Sequence, residues 1–115
     1  MPVLKRQFDI GDKTIWVRQA SGMERLKFET LLAKTFRKFK HFGLDQEEWT
    51  DEQQEEFMDA LEAAGGDINS QMKEMIPPCL PDGFDINTLD KDELMMIFNF
   101  VRGIGEPEGA IPLDS

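Results

Sequence analysis

The feature that most constrains the fold is a long amphipathic segment between Ser21 and Phe42. Ser21 and Glu24 have the spacing of a capping box, in which each side chain accepts a hydrogen bond from the other residue's backbone N–H. Apolar residues then recur at intervals of three and four, which predicts one helix that ends near Phe42 with Gly43 as its C-cap. The apolar side of this helix comprises Phe28, Leu31, Leu32, Phe36, Phe39 and Phe42.

Residues 3–19, which precede this segment, predict a β-hairpin. Leu4, Phe8 and Ile10 alternate with polar residues, as expected for a strand with one buried face. Gly11 and Asp12 form a two-residue turn signal, because glycine supplies the positive φ that such turns require. A two-stranded hairpin is marginally stable alone in water. It must therefore lie on a helix, or extend a sheet with another copy or a partner.

Further helix starts follow along the chain. Thr50 and Asp90 are each followed three residues later by a capping-box partner, Gln53 and Glu93, and a short helix is expected to follow from Asp67. We therefore expect a mainly α (α+β) fold, in which the N-terminal β-hairpin is followed by a compact bundle of about four helices.

The expected organisation is a single domain over residues 1–102, with the hairpin at 3–19 and the helical part at 21–102. Residues 103–115 contain three glycines and two prolines. This composition predicts a flexible C-terminal tail.

Charge is divided unevenly along the chain. Residues 1–41 carry a net charge of +6 and residues 42–115 carry −16, which together give the total of −10. Two interpretations are open: the basic and acidic parts pack beside each other within one molecule, or each steers a partner of opposite sign, including another copy of the chain. The candidate residues for electrostatic partner binding or self-association are Lys27, Lys34, Arg37, Lys38, Glu48, Glu52 and Glu55.

The composition disfavours several function classes. A net charge of −10 opposes binding to nucleic acid, and the apolar runs are far too short to span a membrane. One cysteine and one histidine exclude the common zinc sites, and Cys79 is expected to be a buried or half-buried loop residue. The acids of Asp45–Glu62 have no sign of the burial that acid–base catalysis needs. We therefore predict no enzyme activity, no cofactor and no metal.

Several methionines lie outside the predicted core stripes and indicate where a partner could bind. On the last predicted helix, Leu94, Ile97, Phe98 and Val101 form the core stripe, whereas Met95, Met96 and Phe100 point elsewhere. Either this helix is buried on all sides, or it leaves an exposed face that binds an apolar helix of a partner. Methionine is well suited to such a face because its side chain is flexible. The candidate partner-binding residues are Met72, Met75, Met95, Met96 and Phe100.

The outline as a whole resembles a known protein family. The hairpin sequence LKRQFDIGDKTIWVR, followed by QASGMER and by an acidic helical body, is similar to the tail assembly chaperones of long-tailed (siphovirus-type) bacteriophages. The similarity extends over most of residues 3–102 and lies in size, order of elements and N-terminal sequence.

The resemblance implies a function in virion morphogenesis without catalytic residues. Such a chaperone binds and solubilises the tape measure protein, helps recruit the major tail protein that builds the tail tube, acts in the host cytoplasm and is absent from the mature virion. Copies of the chain that associate into a homo-oligomer would suit this role. The charge pattern leaves one alternative, an acidic inhibitor that mimics nucleic acid and blocks a basic site on a partner enzyme.

Overall fold

A computed structural model describes residues 3–104 and 108–114. It consists of an N-terminal antiparallel β-hairpin followed by helices, so the predicted α+β fold class is confirmed. Short 3₁₀ turns connect the helices. The main elements are β1 (Leu4–Ile10), β2 (Lys13–Arg18), α1 (Gly22–Lys38), α2 (Asp51–Ala63), α3 (Ile68–Met75), α4 (Lys91–Val101) and β3 (Ile111–Pro112).

The hairpin has the two-residue turn predicted at Gly11 and Asp12. Ile10 pairs with Lys13 across the turn, and Gly11 adopts the positive φ of 62°. Because pairing at Ile10 sets the side-chain alternation, Phe8 and Ile15 face the same side of the sheet and are buried there. The hairpin therefore contributes one apolar face to the core.

The C-terminal residues return to the hairpin. β3 pairs antiparallel with the start of β1, where Leu4 lies opposite Pro112, which gives a three-stranded sheet in the order β2-β1-β3. The Leu113 N–H donates to the Val3 carbonyl at 2.9 Å. The predicted flexible tail from residue 103 is wrong at residues 111 and 112, while residues 105–107 and 115 lie outside the described part. The strand was missed because its pairing partner is about a hundred residues away in the sequence.

The N-terminal caps expected for the helices are present, whereas Gly43 is not the C-cap of α1. The capping boxes at Ser21, Thr50 and Asp90 have both of their hydrogen bonds, and Asp67 accepts from the backbone of α3. Helix α1 ends at Lys38, one turn earlier than predicted, and a 3₁₀ turn leads to Gly43, which has a φ of 101°.

Buried apolar residues form two separate clusters. The larger joins the hairpin to α3, α4 and the N-terminal half of α1, with Val17, Ile97 and Phe98 fully buried. The smaller is an aromatic cluster at the other end of α1, formed with α2. The radius of gyration is 16.4 Å, whereas a compact chain of this length has about 13 Å. The larger radius agrees with a core that is divided into two clusters along α1. The aromatic cluster contains Phe36, Phe39, Phe42, Trp49 and Phe57.

Candidate functional site

Helix α1 carries a second row of residues on the side away from the core. Met23, Leu26, Thr30 and Ala33, which we call the α1 outer row, are spaced by three, four and three residues and are all exposed. Met23 is 78% exposed and Leu26 is 53% exposed. This spacing is that of a helix that packs on another helix. A shallow groove of about 350 Å³ runs along it, lined by Met23, Leu26, Lys27, Thr30, Leu31 and Lys34.

Basic side chains flank the α1 outer row. Lys34, Arg37 and Lys38 are exposed, and Lys27 forms an ion pair with Glu74 of α3. Two copies of α1 placed face to face would bring these like charges together. The row is therefore better matched by a helix that carries acidic residues beside an apolar stripe.

Helix α2 presents an acidic outer face. Glu52, Glu55, Asp59 and Glu62 are exposed at the same spacing of three, four and three residues, opposite the buried Phe57. Helices α1 and α2 do pack side by side, but through their aromatic residues. In residues 3–104 and 108–114, no ion pair joins a base of α1 to an acid of α2. Within the described residues, α1 and α2 are therefore not joined by charge pairing. The predicted acidic residues Glu48, Glu52 and Glu55 are all exposed.

The structure places the predicted methionine surface differently from our expectation. Met75 and Phe100 are only 3% and 5% exposed, so they belong to the main core and are not part of an exposed methionine face. Phe100 points inward because its ring packs edge-on against Phe8 of the hairpin, with the centroids 5.5 Å apart. Met72 and Met95 are half-buried and Met96 is 44% exposed.

Sequence reasoning missed the α1 outer row, although a signal was present. The spacing of Met23, Leu26, Thr30 and Ala33 is visible in the sequence. The phenylalanine stripe of the same helix is a stronger pattern, and the prediction for α1 is based on that stripe alone. One member of that stripe, Leu32, is 43% exposed, which corrects the prediction that it lies on the buried side.

A smaller groove lies on the other flank of α1 and combines cationic with apolar groups. Its volume is about 170 Å³, and Arg25 and Arg102 approach it from α1 and from the end of α4. We call it the arginine groove. Its lining comprises Arg25, Phe28, Glu29, Leu32, Gln71, Met75 and Arg102.

The one cysteine does not have the environment of a nucleophile. Cys79 is 3% exposed, and burial raises the pKa of its thiol to about 11. A thiol with so high a pKa is protonated at neutral pH, and reactive cysteines have the opposite shift. This confirms the prediction of a buried loop cysteine. Among the described residues, no group of three or more His, Cys, Asp or Glu side chains is placed to hold a metal ion.

The comparisons with known proteins add no identification. The chain matches no family model, no curated protein and no solved structure. Within the described ranges, no helix has both the length and the apolar character needed to cross a membrane.

Proposed function

We propose that this protein is a tail assembly chaperone of a long-tailed bacteriophage. In this proposal it binds and solubilises the tape measure protein and helps recruit the major tail protein during tail morphogenesis. It acts in the host cytoplasm and leaves before the virion is complete. The α1 outer row carries the proposal, because exposed Met23 and Leu26 form an apolar strip of helix-packing geometry on a helix that is otherwise anchored in the core.

The geometry of the row suits a partner that is a long helix. From Met23 to Ala33 the row measures about 15 Å, which corresponds to about three turns of a bound helix. Each copy would cover a short length and bind weakly, but many copies along one helix would hold it firmly through multivalency. The net charge of −10 would keep such a coated helix dispersed.

The test is co-expression with a fragment of the tape measure protein that is insoluble alone. We expect the chaperone to bring the fragment into the soluble fraction and to co-purify with it. The combined Met23→Ser and Leu26→Ser variant should lose most of this effect, because it removes exposed apolar area without disturbing the core. Ile68→Ser is a matched control, since Ile68 is 52% exposed, as Leu26 is at 53%, but lies on α3. A wild-type chain that leaves the fragment insoluble would contradict the proposal.

A second candidate function is favoured by the acidic outer face of α2. An inhibitor that mimics nucleic acid needs regularly spaced carboxylates that remain free to bind a partner. Glu52, Glu55, Asp59 and Glu62 are exposed, and none of them takes part in an ion pair within the described residues. Such an inhibitor would bind a basic site on an enzyme with strong dependence on salt. The α1 outer row would not contact the enzyme in this function. The two candidate functions therefore depend on different helices.

A further inference from the structure

The arginine groove brings together two guanidinium groups from elements that are distant in the sequence. Arg25 lies in the first turns of α1, and Arg102 directly follows α4. Gly103 allows the close approach of Arg25, because a Cβ at that position would lie 3.0 Å from its Nη2 atom. The groove therefore depends on how the two helices meet.

Within the described ranges, neither guanidinium has a carboxylate partner. The ion pairs of this part of the chain join Arg18 to Glu24 and Lys27 to Glu74, and they include neither Arg25 nor Arg102. The chain carries 23 acidic residues against 13 basic ones, so carboxylates are plentiful elsewhere in it. Glu29 also lines the groove but forms no ion pair with either arginine in the described ranges. An anion bound between the two guanidinium groups would reduce their mutual repulsion.

The orientation of Arg102 is fixed by its neighbours. Its guanidinium lies over the Phe98 ring at 4.4 Å, and its Nη2 donates to the Asn99 side chain at 3.2 Å. Its Nε atom is buried and has no hydrogen-bond partner among the described residues. A cationic group held in place in this way loses little side-chain entropy when it binds a ligand.

The rest of the lining defines the class of ligand. Phe28, Leu32 and Met75 supply apolar contacts, whereas Glu29 adds a negative charge to the rim. A dianionic phosphate would be repelled by Glu29 and would gain nothing from the apolar wall. A planar carboxylate with one negative charge matches the fork of a guanidinium, and an apolar neighbour would fill the remaining space.

We propose that the arginine groove binds a carboxylate of a polypeptide that lies directly beside an aliphatic side chain. The carboxylate contacts Arg25 and Arg102, and the aliphatic group lies against Leu32 and Met75. Its source is either an acidic side chain or the C-terminal carboxylate of a partner. This site is separate from the α1 outer row, so the proposal does not depend on the proposed function.

The experiment uses the full chain and follows the Met75 methyl signal and the arginine Nε–H signals by NMR. Hexanoate is the first probe, and its uncharged analogue hexanamide and inorganic phosphate are the comparisons. We expect hexanoate to give a saturable shift with a dissociation constant on the order of millimolar, as befits a ligand of this size. Hexanamide and phosphate should bind much more weakly. A phosphate response as strong as that of hexanoate, or no saturable shift with hexanoate, would overturn the proposal.

Variants locate the binding, and peptides identify the source of the carboxylate. Arg25→Gln changes an exposed residue and should weaken hexanoate binding about 10-fold or more, since a charge-assisted hydrogen bond is lost. Arg37→Gln, on the same helix but outside the groove, should leave binding unchanged. N-acetyl-Leu-Leu with a free C-terminus and N-acetyl-Leu-Glu amide then compete with hexanoate, and the tighter one indicates the source. If neither competes, the ligand is not a polypeptide and the proposal is wrong.

Discussion

The Glu24 carboxylate joins the end of β2 to the start of α1 through its contact with Arg18. Its Oε1 atom accepts from Arg18 Nη1 at 3.0 Å and from the Ser21 backbone N–H at 2.7 Å. The hydrogen bond from Arg18 is the largest contribution that lowers the pKa of Glu24 below its ordinary value. A single side chain thus completes a capping box and fixes the corner between sheet and helix.

Replacement of Glu24 tests this corner. Glu24→Ala should reduce the free energy of unfolding by about 1 kcal/mol, since it removes both the cap and the ion pair. Glu24→Gln should cost less, because the amide oxygen can still accept from Ser21. Urea unfolding at neutral pH measures both changes, and Glu29→Gln, an exposed change on the same helix, is the control.

The same residue predicts a pH dependence. Because the pKa of Glu24 is lower in the folded chain than its ordinary value of 4.5, its contribution to stability is present above that value. The contribution is lost as the pH falls through the folded pKa. Stability should therefore fall less steeply on acidification in Glu24→Gln than in the wild type. Parallel acid profiles for the two proteins would show that the Arg18 contact contributes nothing.

Local rules predicted the elements of this fold well. Helix caps at Ser21, Thr50 and Asp90 depend on residues three positions apart, and the hairpin turn depends on adjacent residues. Such interactions are contained within a few residues, so the sequence reveals them directly. The fold class followed from them.

Distant contacts were the part that could not be predicted. The burial of Phe100 depends on the Phe8 ring, and β3 forms only because β1 offers an open edge near Leu4. Likewise, a helical stripe does not reveal that its two halves pack into different clusters, one with α4 and one with α2. The exposure predicted for Met75 and Phe100 was wrong for the same reason, since core and surface differ by what packs against a helix.

The two clusters predict unequal responses to core mutations. Phe57 contacts the rings of Phe36 and Trp49, with centroids 5.0 and 5.5 Å away, so Phe57→Ala should cost about 3–5 kcal/mol in the aromatic cluster. In a Trp16→Phe background, Trp49 is the one remaining tryptophan and reports this cluster by fluorescence. We expect Trp49 to lose its buried emission at lower urea than the concentration at which the Val17 amide loses protection from hydrogen exchange.

The matched control for this comparison is Val101→Ala in the main core. Val101 is fully buried there, so its truncation should lower the protection of Val17 first. If each variant shifted both probes by the same amount, the two clusters would unfold as one cooperative unit, contrary to the prediction.

Cys79 should react slowly with thiol reagents while the chain is folded. Burial raises the pKa of its thiol to about 11, so the thiolate fraction near pH 8 is roughly a hundred-fold smaller than for a free cysteine. Because the folded pKa exceeds the ordinary value of 9.0, the associated stability is lost as the pH rises through that interval. The rate of reaction with a disulfide reagent, with and without urea, measures the effect. Equal rates in the two conditions would place Cys79 at the surface.

Charge reversal separates the proposed chaperone from the acidic inhibitor. Changing Glu52 and Glu55 to Lys alters two exposed residues of α2, whereas Met23→Ser and Leu26→Ser alter the α1 outer row. All four positions are exposed, so each pair should change the free energy of unfolding by less than about 1 kcal/mol. A chaperone loses its holding of the tape measure fragment with the serine pair and keeps most of it with the lysine pair. An inhibitor shows the reverse in an assay of its target enzyme, because its binding depends on carboxylates. Loss of holding in the lysine pair alone would assign partner binding to α2 and contradict the proposed role of α1.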